Sequence, residues 1–241
     1  MTTKSAVLAA PSTETKEAPP ATCLVLFELD HLVGHTRRAA FEVLKSILSE
    51  KGIELSPVQF ARYCLAAKPE FYMEAIQEAV GAKKLSTRKL VEDVTNGISL
   101  HLTSSNLTLP PSLKKLLERT REKGGRAVAL TILPEAIRNN LSTRLGLAEL
   151  GVTLTPCDQV DAHWPRADSW LKLVKEHNLS TMKAVAITTS ASSCRSALTS
   201  GCRVVVVPDE FTSFQDFGGA RLIADTIEDL KADEVLELVS V

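Results

Sequence analysis

Two acidic residues, Glu28 and Asp30, stand one residue apart at the end of an apolar run that covers residues 23–27. A continuous apolar run is typical of a strand that is buried on both faces of a parallel sheet. Acids at the end of such a strand face the crevice in which open α/β sheets bind ligands. The pair suits phosphoryl transfer, in which one carboxylate attacks phosphorus and the other moves a proton. Acids that only cap or solvate a strand end have the same spacing, so the pair alone leaves both interpretations open.

Three further apolar runs predict strands that end at the same edge of the sheet. They cover residues 127–130, 184–187 and 204–207. Helical patterns lie around them, and Gly124-Gly125 is a stop signal for the first helix. The predicted helices cover residues 111–123, 135–145, 167–177 and 192–200. Strands and helices that alternate in this way predict a doubly wound, mainly parallel α/β sheet.

The interval between the first strand and Pro110-Pro111 has helical periodicity and no convincing strand pattern. Helices are predicted there at residues 36–51, 57–65, 70–80 and 87–102. We interpret this interval as an inserted helical cap over the carboxyl ends of the strands. The predicted division is a disordered Ser/Thr/Ala/Pro-rich tail at residues 1–21, a core at residues 22–34 and 111–241, and a cap at residues 35–110.

The order of these features resembles the haloacid dehalogenase-like (HAD-like) hydrolase superfamily, in particular its helical-cap branch of phosphoglycolate-phosphatase-like proteins. Members of that family open with an Asp-x-Asp-Gly loop and a helical cap, and residues 28–31 match the loop. The second family motif is a strand that ends in a phosphate-holding Thr or Ser, matched by Thr131. The third is a Lys before a Pro and a helix, and its match is Trp164. The resemblance implies a Rossmann-like core, and it extends over nearly all of the chain from Cys23 onward.

The fourth family motif is a strand that ends in acids that hold Mg²⁺, and here its match is Thr188, Thr189 and Ser190. Mg²⁺ takes hard oxygen ligands and commonly one or two carboxylates. Two threonines at these positions leave Glu28 as the remaining carboxylate in the implied metal set. The resemblance therefore implies that the metal site of the family has been lost.

Three other positions depart from the family pattern. Glu28 replaces the nucleophilic Asp, and its extra methylene moves the carboxylate by roughly 1.5 Å, a misplacement large enough to cost about 10²-fold in rate. His31 replaces the Gly that lets backbone amides approach phosphate. Trp164 replaces the Lys that would neutralise the phosphoryl group, and we expect its ring, with His31, to fill the crevice.

These departures predict a catalytically degenerate, HAD-like pseudo-phosphohydrolase that binds a partner protein or a small anionic ligand and is not an enzyme. The candidate binding residues are Thr131, His31, Trp164, Thr189 and Ser190. No cofactor and no metal site are expected, since Glu28, His31 and His35 match no standard ligand spacing.

The alternative is a weak or altered hydrolase of a small phosphorylated metabolite that uses Glu28 and Asp30 and requires Mg²⁺. The two hypotheses differ in whether the vestigial carboxylates still act.

Composition excludes several other classes of protein. The formal net charge of -1 argues against a nucleic-acid binder, and no apolar run approaches the roughly 20 residues that cross a membrane. The five scattered cysteines predict reduced thiols and a cytoplasmic protein, with an organellar location as the minority interpretation. Paired cations such as Arg37-Arg38 are predicted to lie on solvated helix faces.

Overall fold

A computed structural model describes residues 21–157 and 160–239, and its centre is a sheet of six parallel strands. The strands lie in the order β3-β2-β1-β4-β5-β6, so that β1 is near the middle. The predicted doubly wound parallel sheet is confirmed. The strands are β1 Leu24–Glu28, β2 Arg126–Thr131, β3 Val152–Pro156, β4 Ala184–Thr188, β5 Arg203–Val206 and β6 Leu222–Ile223. The predicted disordered tail falls almost entirely on residues 1–20, which lie outside the described residues.

Helices cover both faces of this sheet, which explains the continuous apolar runs. Val25 and Phe27 of β1 pack on one face, and Leu24 and Leu26 pack on the other. All five residues of β1 are buried because alternate side chains enter separate cores. The helices are α1 Leu29–Leu32, α2 Thr36–Ser49, α3 Pro57–Tyr63, α4 Met73–Ala79, α5 Thr87–Ser104, α6 Pro111–Glu122, α7 Glu135–Leu145, α8 Ala167–Glu176, α9 Ala191–Thr199 and α10 Ala232–Glu237. Single 3₁₀ turns form at Pro69–Phe71, Thr181–Lys183 and Ile227–Asp229.

The edges of the sheet hold the elements that the apolar runs do not predict. Strand β3 alternates apolar residues with Thr153 and Thr155 and is only partly buried. Strand β6 has two residues, and α10 follows it near the end of the described chain. Within the two described ranges, no helix is long and apolar enough to cross a membrane.

Residues 36–104, hereafter the helical segment, contain helices and 3₁₀ turns and no strand in this fully described stretch. Helices α2 and α5 pack closely, and a Cβ atom on Gly97 would lie 2.4 Å from Val43 Cγ2. Glycine is therefore needed where these two helices meet. The helix predicted at residues 70–80 begins as the 3₁₀ turn Pro69–Phe71 and continues as α4.

The helical segment has an apolar core of its own, and one residue from the sheet side enters it. Phe211, from the loop after β5, is 2% exposed and belongs to this cluster. Its ring centroid lies 4.8 Å from that of Phe60 and 5.2 Å from that of Phe41. The loop after β5 is thereby anchored in the helical segment.

Candidate functional site

The two acids of the strand-end pair diverge, and each one binds a different threonine. Glu28 is the last residue of β1, whereas Asp30 lies in the single-turn helix α1 that follows directly. Thr131 Oγ1 donates a hydrogen bond to Asp30 Oδ1 at 2.5 Å. Thr189 Oγ1 donates a hydrogen bond to Glu28 Oε2 at 2.6 Å. The ends of β2 and β4, on either side of β1, thus supply the partners.

Asp30 is 1% exposed and has both carboxyl oxygens hydrogen-bonded. The backbone N–H of Ile132 donates to Oδ2 at 2.8 Å. Burial raises the pKa of Asp30 to about 7, even though the bonds from Ile132 and Thr131 favour the charged form. A carboxyl group with this pKa can hold or release a proton near neutral pH.

Glu28 is 0% exposed, and its Oε1 atom has no hydrogen-bond partner among the residues that the structure describes. Burial raises the pKa of Glu28, and the positive charge of Arg37 and the bond from Thr189 oppose this effect. The carboxyl group is therefore enclosed by protein.

Arg37, in the first turn of α2, connects this carboxyl group to the loop after β5. Its Nη1 atom donates to Thr189 Oγ1 at 3.1 Å and to Asp209 Oδ2 at 2.7 Å. Contacts thus run from Glu28 through Thr189 and Arg37 to Asp209, four residues hereafter called the Arg37 network. Arg37 is 6% exposed, so the prediction that the Arg37-Arg38 pair lies on a solvated helix face is wrong for Arg37.

His31 lies beside this network and lines two cavities. Its Nδ1 atom is 2.8 Å from Thr36 Oγ1. Burial, together with the positive charge of Arg37, lowers the pKa of His31 well below its ordinary value. The imidazole is therefore neutral at neutral pH.

The first cavity lies between the helical segment and the ends of β1 and β2 and has a volume of about 560 Å³. Asp30, His31 and Arg37 line it from below. The second cavity has a volume of about 380 Å³ and is lined by His31, Thr189, Asp209 and other residues of the neighbouring loops. Glu28 lines neither of these cavities.

Comparisons with known proteins agree with this architecture. No protein-family model matches the chain. The protein CbbY (plasmid) of Cupriavidus necator is 24% identical over 217 residues, which are 85% of this chain and 85% of that protein. A variant of CbbY from Rhodobacter sphaeroides in complex with xylulose-(1,5)bisphosphate has a TM-score of 0.68 at 16% identity, over 86% of this chain and 98% of that chain. A HAD hydrolase of family IA, variant 3, from Entamoeba histolytica has a TM-score of 0.71 at 19% identity, over 92% and 100% of the two chains.

The chain has the HAD-like fold. The resemblance inferred from the motifs is thus confirmed at the level of the fold, and the positions matched in sequence can be located on it. Thr131 is the last residue of β2 and Thr189 directly follows β4, and these are the two strands beside β1. Ser190 is the N-cap of α9, where its hydroxyl accepts a hydrogen bond from the backbone N–H of Ser193 at 3.3 Å. Thr188 is 0% exposed, and its hydroxyl is 3.4 Å from Val205 O.

Trp164 is not among the residues that line either cavity. It is 6% exposed and belongs to the apolar cluster between the sheet and helices α8 and α9, which includes Leu130 and Trp170. We expected its ring, with His31, to fill the crevice. The ring packs instead in an apolar cluster on one face of the sheet, where burial stabilises it. It therefore does not fill the first cavity, which Asp30 lines.

Mg²⁺, which HAD-type phosphatases use, does not fit the residues at these strand ends. In the described ranges, no group of three or more His, Cys, Asp and Glu residues could hold a metal ion. The oxygens of Thr189 and Asp209 already accept hydrogen bonds from Arg37. A guanidinium carries a permanent positive charge, so it repels a cation at this position.

Sequence reasoning missed Arg37 and Asp209, although the periodicity of α2 carried a signal for Arg37. The buried positions Phe41, Leu44 and Leu48 follow Arg37 at steps of four, three and four residues, which places all four on one helix face. No comparable pattern marks Asp209, which lies in a loop.

Proposed function

We propose that this protein is a catalytically degenerate HAD-like protein that acts by binding a small anionic ligand and does not hydrolyse phosphate esters. The Arg37 network carries this proposal. In this network the guanidinium of Arg37 lies beside Thr189 and Asp209. Its positive charge balances the carboxylates of Asp209 and Glu28 without a metal ion. A guanidinium supplies charge, but it neither activates a bound water nor polarises a phosphoryl oxygen as a Lewis acid does.

The position of Glu28 supports the same conclusion. A nucleophile must lie within reach of the atom that it attacks. Glu28 is 0% exposed, with one oxygen bonded to Thr189 and with neither cavity in contact with it. Exposing it would require breaking the Arg37 network.

The size of the first cavity favours a small ligand over a protein partner as the binding species. Its volume of about 560 Å³ lies within the range of about 300–1,000 Å³ of small-molecule sites. Arg37 and Lys68 both line it, so a negatively charged group would find positive charge there.

The test is a phosphate-release assay with a panel of phosphorylated metabolites, with and without Mg²⁺, and with alkaline phosphatase as the positive control. We expect no Mg²⁺-dependent release above background, and no change on Glu28→Gln. Thermal unfolding in the same mixtures detects binding without turnover, since a ligand of the native state raises its stability. Turnover that requires Mg²⁺ and disappears in Glu28→Gln would overturn the proposal.

One observation favours a weak hydrolase as the second candidate. Asp30 lines the first cavity, and its pKa of about 7 suits a general acid or base. This candidate predicts slow phosphate release that is lost in Asp30→Asn and has a pH optimum near neutrality.

A further inference from the structure

We propose that the first cavity binds a small amphipathic anion, in which an aliphatic or aromatic body carries a single carboxylate or phosphate group. The inference rests on the proposed function and names the ligand class for the same site. A ligand of this class differs from a sugar phosphate, which carries many hydroxyl groups and no apolar body.

Apolar side chains form most of the upper wall of the first cavity. Helices and turns of the helical segment contribute Phe60, Tyr72, Val91 and Ile98, and the loop after β2 contributes Leu133 and Pro134. An apolar ligand body gains about 25 cal/mol for each Å² that it removes from water on such a wall.

Several polar groups that line the first cavity are engaged within the protein. The Ser99 hydroxyl donates to Thr95 O at 2.9 Å, and the Thr36 hydroxyl is bonded to His31. Both carboxyl oxygens of Asp30 accept hydrogen bonds from the chain. A sugar would bury hydroxyl groups with few partners, and each unpartnered hydroxyl is costly to bury. The apolar wall and these engaged groups therefore favour an apolar ligand body over a sugar.

Positive charge in the first cavity is concentrated at two side chains. Arg37 uses Nη1 for Thr189 and Asp209, while its Nη2 atom makes no hydrogen bond to any described residue. Lys68, which is partly buried, forms no ion pair within the described chain. Because Arg37 is 6% exposed, an anion that reaches Nη2 meets a largely desolvated cation, where charge-assisted hydrogen bonds are strong.

The acids around the first cavity set the number of negative charges that it accepts. Glu92 is exposed and accepts a hydrogen bond from Arg88 at 2.9 Å, and Glu70 is also exposed. Both carboxylates line the cavity, where they disfavour a second anionic group near them. The lining of the first cavity therefore fits a ligand that places one anionic group near Arg37 and an apolar body along the apolar wall.

Calorimetric titration of the full-length protein tests the inference with four probes: octanoate, octyl phosphate, octan-1-ol and glucose 6-phosphate. We expect octanoate and octyl phosphate to bind at least about tenfold more tightly than octan-1-ol, because a hydrogen bond to a charged group is worth at least that factor. Glucose 6-phosphate is expected to bind more weakly than octyl phosphate.

Three variants locate the binding. Arg37→Met is expected to remove the preference for octanoate over octan-1-ol, and the matched control Arg38→Met, on the exposed neighbour, to retain it. Val91→Trp, which fills the cavity, is expected to weaken both octyl ligands by at least about tenfold. Should Arg37→Met fail to fold, Lys68→Met provides the charge test, since Lys68 forms no ion pair with any other described residue.

The outcomes separate this inference from the proposed function. Equal binding of octanoate and octan-1-ol, or tighter binding of glucose 6-phosphate than of octyl phosphate, would overturn the ligand class and leave a non-hydrolytic protein intact. Unchanged binding in Val91→Trp would place the ligand elsewhere and overturn the site. Release of phosphate from glucose 6-phosphate would instead contradict the proposed function.

Discussion

Arg37 Nη1 donates a hydrogen bond to Asp209 Oδ2 at 2.7 Å, which joins the first turn of α2 to the loop after β5. The next residue of that loop, Glu210, pairs with Arg38 at 2.7 Å, and Phe211 enters the core of the helical segment. Three consecutive residues of the sheet side therefore hold the helical segment in place. Residues 209–211, hereafter the clasp, thereby hold the helical segment over the first cavity.

The aromatic part of the clasp is expected to dominate its stability. Phe211→Ala removes a ring that lies between Phe41 and Phe60 and is expected to cost about 3–5 kcal/mol in the free energy of unfolding. Phe214→Ala is the matched control in the same loop, because Phe214 is 68% exposed, and it is expected to change stability by at most about 0.5 kcal/mol. Urea unfolding measures both. Similar losses in the two variants would show that Phe211 does not anchor the loop.

The two arginines that pair with the clasp, Arg37 and Arg38, are expected to differ in the same way. Arg37→Met leaves Asp209 without its cation and removes a buried partner of Thr189, so we expect a loss of about 3 kcal/mol. Arg38→Met breaks an exposed pair, which is worth about 0–1 kcal/mol. Urea unfolding at low and high salt checks this, since salt screens the exposed pair more strongly. If Arg37→Met lowered the free energy of unfolding no more than Arg38→Met does, the positive charge of Arg37 would not be needed for stability.

The sequence was informative where burial is complete on both sides of the sheet. The continuous apolar runs predicted β1, β2, β4 and β5, because alternate residues of these strands enter two separate cores. Edge strand β3 gave no such run, since Thr153 and Thr155 face a partly exposed side. Motif order predicted that Thr131 and Thr189 would lie at strand ends, and the strands concerned, β2 and β4, are the neighbours of β1.

The contacts between site residues were less accessible to sequence reasoning. Asp209 is 172 residues from Arg37, and nothing local to either residue indicates the pair. The pairing of arginine with a loop carboxylate depends on how the helical segment packs over the sheet. The placement of Trp164 in the apolar cluster on one face of the sheet likewise depends on tertiary packing. The division into core and cap and the binding roles of the site residues stay predictions.

The two tryptophans offer a matched pair on one face of the sheet. Trp164 Nε1 is buried and has no hydrogen-bond partner within residues 21–157 and 160–239, whereas Trp170 Nε1 donates to Ser196 Oγ at 2.9 Å. Trp164→Phe and Trp170→Phe remove the same atoms, but only the second breaks a hydrogen bond. We expect Trp170→Phe to cost about 1 kcal/mol more in unfolding free energy. Equal costs would indicate that the Trp164 N–H does have a partner in solution.

Because of the buried carboxyl group of Asp30, we expect its contribution to the free energy of unfolding to fall as pH rises towards neutrality. Burial raises its pKa to about 7 in the folded protein, against an ordinary value of 3.8. Between these values the folded chain keeps a proton that the unfolded chain has released, so the unfolded state is increasingly favoured as pH increases. The stabilisation is fully present below an ordinary Asp pKa and is lost as pH rises through about 7, with a slope of at most about 1.4 kcal/mol per pH unit.

His31 has the opposite effect, and Asp30→Asn separates the two contributions. Burial lowers the pKa of His31, so below an ordinary histidine pKa the unfolded state binds the extra proton, and stability from this group rises with pH up to that value. Both the wild-type protein and Asp30→Asn contain His31, so its contribution largely cancels in the difference between their unfolding free energies. We expect wild type to lose stability relative to Asp30→Asn between about pH 4 and about pH 7, and the difference to be constant above about pH 8. Urea unfolding at a series of pH values measures it. A difference that does not change with pH would mean that Asp30 titrates normally and that its environment is more hydrated than its 1% exposure indicates.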